Sequence, residues 1–112
     1  MALYLAKFGY TPESWAALIR EPEDREQTVR PVFEAAGCKL HNLWYAFGEE
    51  DGYALMEAPD NVTAASVAVK IAASGAFRSF ETTALMTAKE MVDALGKAAE
   101  IPYRAPAEHA MA

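Results

Sequence analysis

The chain has 112 residues, 53% of them apolar and 23% charged, which is the size and make-up of a single globular domain with its own core. A net charge of −6 with scattered basic residues excludes the Lys/Arg clusters that nucleic acid and anionic membranes require, and no apolar run approaches the roughly 20 residues of a bilayer span. One cysteine, Cys38, leaves no internal disulfide and fits a cytoplasmic protein, and the opening MALYLAKFGY lacks the apolar core of a signal peptide.

Ala2–Tyr10 (ALYLAKFGY) is aromatic and aliphatic with a single charge and reads as a strand. TPES follows, with Thr11 as N-cap and Pro12 at the first helical position, where a missing N–H costs nothing. Trp15, Leu18 and Ile19 give that helix an i, i+3, i+4 apolar stripe. A second helical piece starts after Pro22 and ends at Gly37, with Val29, Val32, Phe33 and Ala36 inward. Pro31 lies inside it, so a kink, or a break near Gln27–Arg30, is expected.

Cys38–Phe47 reads as a second strand and Tyr53–Ala58 as a third, joined by the acidic turn FGEEDGY. Pro59 stops the third strand, and Asp60 or Asn61 caps a helix whose face is Ala64, Val67, Ala68, Ile71 and Ala72, with Gly75 at its end. Phe77–Met86 is the fourth strand. TAKE (Thr87–Glu90) then matches a capping box and opens a last helix through Ala99, with Met91, Val92, Leu95 and Ala98 turned inward. Residues 1–99 form the domain, and 100–112, rich in proline and small residues, form an arm expected to dock on its own or a partner subunit. Trp15 and Trp44 are expected in the core.

The order βαββαβ plus one helix is the split-βαβ, ferredoxin-like pattern. The expected class is α+β, with a four-stranded antiparallel sheet and helices on one face. The other face carries side chains too apolar for water, so an interface is expected there, with two sheets meeting in a dimeric α/β barrel.

The stretches YTPESWAALI, AAGCKL, FGEEDGYALMEAPDN and ASGAFRSFETTALMT, spread over Leu3–Leu95, resemble the GYD-domain family of small bacterial proteins. The resemblance implies a dimeric α/β-barrel fold and supplies no mechanism. The family's turn reads Gly, any residue, Tyr, Asp, and here Glu50 stands in the tyrosine's place.

Glu49, Glu50 and Asp51 are consecutive, so their side chains diverge, and the turn reads as a solvated hairpin tip rather than a cation loop. Cys38 and His41, three apart on a strand, point to opposite faces; no metal site and no cofactor are expected. Cys38 reads as a buried thiol. The family motif favours a Gly48–Gly52 loop over a two-residue Asp51-Gly52 turn. In that register Phe47 pairs with Tyr53, Tyr45 with Leu55 and Leu43 with Glu57. One face then collects the ligand-pocket candidates His41, Tyr45, Phe47, Tyr53 and Glu57 and the dimer-interface candidates Leu43 and Leu55, with His41 near Glu57 as an acid–base pair.

The reading that results is a homodimer, or a higher assembly of dimers, serving as an accessory or small-molecule-binding domain for an apolar or aromatic ligand, with no assignable catalytic residue. The alternative is a cofactor-independent enzyme of monooxygenase or isomerase type, using a pocket between sheet and helices.

Overall fold

The computed structural model describes residues 1–107. The elements run β1 (Ala2–Tyr10), α1 (Pro12–Arg20), α2 (Arg25–Ala35), β2 (Lys39–Tyr45), β3 (Gly52–Ala58), α3 (Asn61–Ala72), β4 (Phe77–Leu85) and α4 (Ala88–Ala98). The four strands form one antiparallel sheet in the order β2-β3-β1-β4, the expected α+β, ferredoxin-like arrangement.

Local chemistry sets the helix starts. The Thr11 hydroxyl accepts the Ser14 N–H, and Pro12 follows it. Asp24 and Asp60 cap α2 and α3 by accepting from Gln27 and Thr63. At α4 both arms of the capping box close, Thr87 with Glu90 in each direction. Gly37 and Gly75, which follow α2 and α3, have φ of 81° and 78°, the left-handed conformation that glycine adopts without a Cβ penalty. α2 runs unbroken through Pro31, so the expected break does not occur. It begins at Arg25, capped by Asp24, and not at Pro22.

α1, α2 and α3 cover one face of the sheet. Even-numbered side chains of β1 and β3 (Tyr4, Ala6, Phe8, Ala54, Met56, Ala58) are buried beneath them with Leu40, Phe33, Ala64 and Val67. Leu40, 1% exposed, contributes about 1.5–3 kcal/mol by burial alone. Gly52 pairs with Phe8 across the β1–β3 ladder, and the Phe8 ring fills the space where a Cβ would stand. Tyr4 reaches across to α3 and donates its hydroxyl to Asn61 Oδ1 at 2.5 Å.

The other face carries Leu3, Leu5, Tyr53, Leu55 and Leu85, half-buried and uncovered by any helix among the described residues. A Lys7–Glu81 ion pair (3.8 Å) and a His41–Glu57 contact (3.1 Å) lie among them.

α4 departs from expectation. None of its residues is buried, and Met91, Val92 and Leu95 are 47%, 65% and 62% exposed, so its apolar stripe is not turned inward. It packs substantially on no other element. The molecule accordingly measures 62 × 31 × 22 Å with a Cα radius of gyration of 18.7 Å, against about 13 Å for a compact domain of this size. Of the arm, Ile101 and Tyr103 are exposed; residues 108–112 lie outside the described residues.

Candidate functional site

Between the helix layer and the sheet lies a cavity of about 500 Å³, whose walls are Phe8 of β1, Val29 and Phe33 of α2, Leu43 of β2, and Phe77 and Phe80 of β4. Tyr10, Ser14, Glu23, Arg25, Lys70 and Ser74 supply its polar groups. The volume and the mostly apolar lining with a few polar groups are those of small-molecule sites.

β1 builds the floor by alternation, because Phe8 and Tyr10 point the same way from a strand that ends at the cavity. Tyr10 is a hub of aromatic contact. Its ring stacks on Phe77 at 5.1 Å and meets Trp15 edge-on at 5.0 Å, and its hydroxyl is hydrogen-bonded to the Tyr45 hydroxyl at 3.2 Å. Tyr45 is half-exposed as a residue, yet its hydroxyl is turned into this cluster. Removal from water, then the Tyr10 hydrogen bond, raise its phenol well above the ordinary tyrosine value. Tyr45 is therefore a neutral hydrogen-bonding group.

Arg25, the first residue of α2, approaches the same end. Its Nη1 donates to Glu23 Oε1 at 2.7 Å. Burial disfavours its charge, but the Glu23 hydrogen bond and carboxylate and the Tyr10 hydroxyl outweigh this, and its pKa is raised. The roof, α1, is tied down at its first turn, where Ser14 Oγ donates to the Ala76 carbonyl at 2.7 Å and the Thr11 N–H to the same carbonyl at 3.0 Å.

The expected hairpin register is corrected. Tyr45 pairs with Gly52, Trp44 with Tyr53 and Leu43 with Ala54, so the connection spans Ala46–Asp51, longer than either turn considered. A bulge between Leu40 and Asn42 then inserts His41 as an extra residue and shifts the alternation by one. The seven residues expected on one face are thereby divided. His41, Tyr53, Leu55 and Glu57 lie on the open face. Leu43 and Tyr45 turn to the helix side, where Leu43 lines the cavity rather than an outer interface. Phe47 stands wholly in solvent on the connection, 105% exposed. His41 does meet Glu57, at 3.1 Å, but neither touches the cavity.

The acidic turn has a structural use for one of its three carboxylates. Asp51 Oδ2 accepts the Tyr10 N–H at 2.8 Å and lies 3.5 Å from Arg78 Nη2, while its own N–H donates to the Phe8 carbonyl at 2.9 Å. Asp51 thus ties the loop to the end of β1. Arg78 Nη2 also donates to the Glu49 carbonyl at 3.2 Å. Among the described residues no group of His, Cys, Asp and Glu is arranged to hold a metal ion, and no helix is long and apolar enough to cross a membrane. Cys38 is buried, and burial pushes its thiol pKa up.

Two expectations for tryptophan are also corrected. Trp44 lies on the open face opposite Tyr53 and is 48% exposed, and Trp15, 36% exposed, packs edge-on against Tyr10. Ile19, 77% exposed, is not part of the inward stripe.

The sequence model of the GYD domain matches residues 4–95. The chain belongs to the GYD domain family. No curated protein matches it. The crystal structure of MtbAldR superimposes with a TM-score of 0.59 and 14% identity over 77% of this chain, a likeness of fold alone; this GYD chain spans about half (53%) of that protein's length. In this GYD chain the turn's aspartate, Asp51, carries the bonds to β1, whereas Glu50, in the tyrosine's position, makes no side-chain hydrogen bond among the described residues.

Tyr10, Glu23 and Arg25 were not anticipated from sequence. Tyr10 could have been found from the even-numbered aromatics Tyr4, Phe8 and Tyr10 on one face of β1. Glu23 and Arg25 carried no signal, since EPEDRE reads only as a charged interruption.

Proposed function

We propose that this GYD protein is a homodimeric accessory protein that binds a small apolar or aromatic molecule between its sheet and its helices. The observation that carries the reading is the cavity of about 500 Å³, walled by aromatic and aliphatic side chains with a few polar groups among them. Binding is favoured over catalysis because the cavity has no poised base among the described residues. Tyr45 is held neutral, Glu23 is engaged by Arg25, and His41 and Glu57 sit on the opposite face.

Assembly is supported by the open face. Leu3, Leu5, Leu55 and Leu85, flanked by Tyr53 and the half-exposed Trp44, form an apolar surface of the kind that marks an interface. A second copy placed sheet to sheet would cover it and give the dimeric α/β barrel.

Native mass spectrometry of the purified protein tests both parts. The expected spectrum is a dimer carrying additional small-molecule mass that is lost on activation. A bare monomer would refute the assembly. A dimer that neither retains a small molecule nor takes up aromatic probes would refute the binding role.

A further inference from the structure

We infer that the molecule this cavity takes is an anion, a carboxylate on an aromatic or branched apolar body. The inference rests on the reading of the cavity as a ligand site and adds the sign and kind of the head group.

Arg25 and Lys70 place two positive charges on the cavity against the single carboxylate of Glu23, in a chain whose net charge is −6. The neighbouring carboxylates do not reverse that balance, because each is engaged away from it. Asp24 accepts the Gln27 N–H at 3.2 Å to cap α2. Glu26 holds Arg30 Nη2 at 2.8 Å and the Leu43 N–H at 2.8 Å. Glu23 itself engages Arg25 through Nη1 alone, at 2.7 Å, and takes the Thr28 hydroxyl on its other oxygen at 3.3 Å.

Beyond Glu23 and the Tyr10 hydroxyl, the guanidinium has N–H groups left over, and a carboxylate fits such an edge with two parallel bonds. Lys70 likewise has no ion-pair partner among the described residues. Because Tyr45 keeps its proton, the Tyr10–Tyr45 pair has one hydroxyl hydrogen left beyond the one it uses internally, and this suits an acceptor. An ammonium head group would instead face Arg25 across an apolar space of low dielectric, where like charges repel most strongly.

Calorimetry with 4-phenylbutyrate, 4-phenyl-1-butanol and 4-phenylbutylamine separates the head group from the body, since the three share one ring and chain. The carboxylate is expected to bind about tenfold or more tightly than the alcohol, and the amine most weakly. Arg25→Gln and Lys70→Gln are each expected to weaken the carboxylate severalfold and leave the alcohol unchanged. Should Arg25→Gln not fold, Lys70→Gln and the salt dependence of carboxylate binding read the same quantity. Equal binding of all three probes, or tightest binding of the amine, overturns the anion inference while leaving the ligand site intact. Absence of binding by all three, or binding that survives Ala17→Trp at the cavity wall, overturns the site itself.

Discussion

The two faces of the sheet are made from the same strands, yet they are finished differently. Under the helices, Tyr4, Ala6, Ala54, Met56 and Ala58 are 5% exposed or less. On the outer face, the leucines at 3, 5, 55 and 85 are only partly buried and sit beside the Lys7–Glu81 and His41–Glu57 contacts. Alternate residues of β1 and β3 thus belong to a completed core and to one that lacks its second layer. The contrast separates the face that carries the chain's own packing from the face on which the proposed second copy would act.

The largest expected effect lies on the finished face. Leu40→Ala should cost about 2–5 kcal/mol in urea unfolding, independently of protein concentration. Leu5→Ala on the open face should cost about as much at high protein concentration and much less on dilution, because dissociation removes the contact it damages. A concentration-independent Leu5→Ala effect would erase the distinction between the faces and count against the dimer.

Gly52→Ala should destabilise by about 1–3 kcal/mol, since the added methyl enters the space of the buried Phe8 ring; a neutral result in thermal melts would mean that Phe8 can move aside. Tyr45 then gives an alkaline signature. Its folded-state pKa is raised, so its contribution is present below the unfolded value of about 10 and is lost as pH rises beyond it. Tyr45→Phe should flatten that limb of the stability–pH curve while leaving the neutral region nearly unchanged. The smallest effect is at the α3 cap. The Thr63 N–H and hydroxyl hold Asp60 below the ordinary aspartate value, so its contribution is present above the unfolded pKa and disappears as pH falls through the folded one. Asp60→Asn should keep the cap and remove that acid dependence, visible as a shallower low-pH limb in circular dichroism melts.

Most of the fold was legible because its signals are local. Thr11-Pro12, Asp60, the Thr87–Glu90 box and the two positive-φ glycines each announce an element boundary, and the strand order follows from a pattern with few solutions. The site was less legible because it depended on phase. Leu40 and Leu43 are three apart and both face the helices, which regular alternation forbids; the bulge at His41 allows it, and nothing in KLHNLWY declares a bulge. Every side chain assigned beyond that point inherited the error, including Tyr45 and Phe47. Arg25 was hidden for a different reason, since a lone cation among carboxylates reads as solvated until tertiary structure carries it to an apolar wall. The inward stripe assigned to α4 shows the reverse case, amphipathic periodicity without an intramolecular surface to meet it.

The sheet order has a consequence for synthesis. β1, made before both of its neighbours, is an inner strand flanked by β3 and β4, and Leu3 ends opposite Leu85. The ribosome therefore releases this strand before either partner exists. Its edges close only after β4 has emerged, a long-range closure of the kind that slows folding. During that interval ALYLAKFGY is the segment most open to wrong pairing, with Lys7 as its only charge.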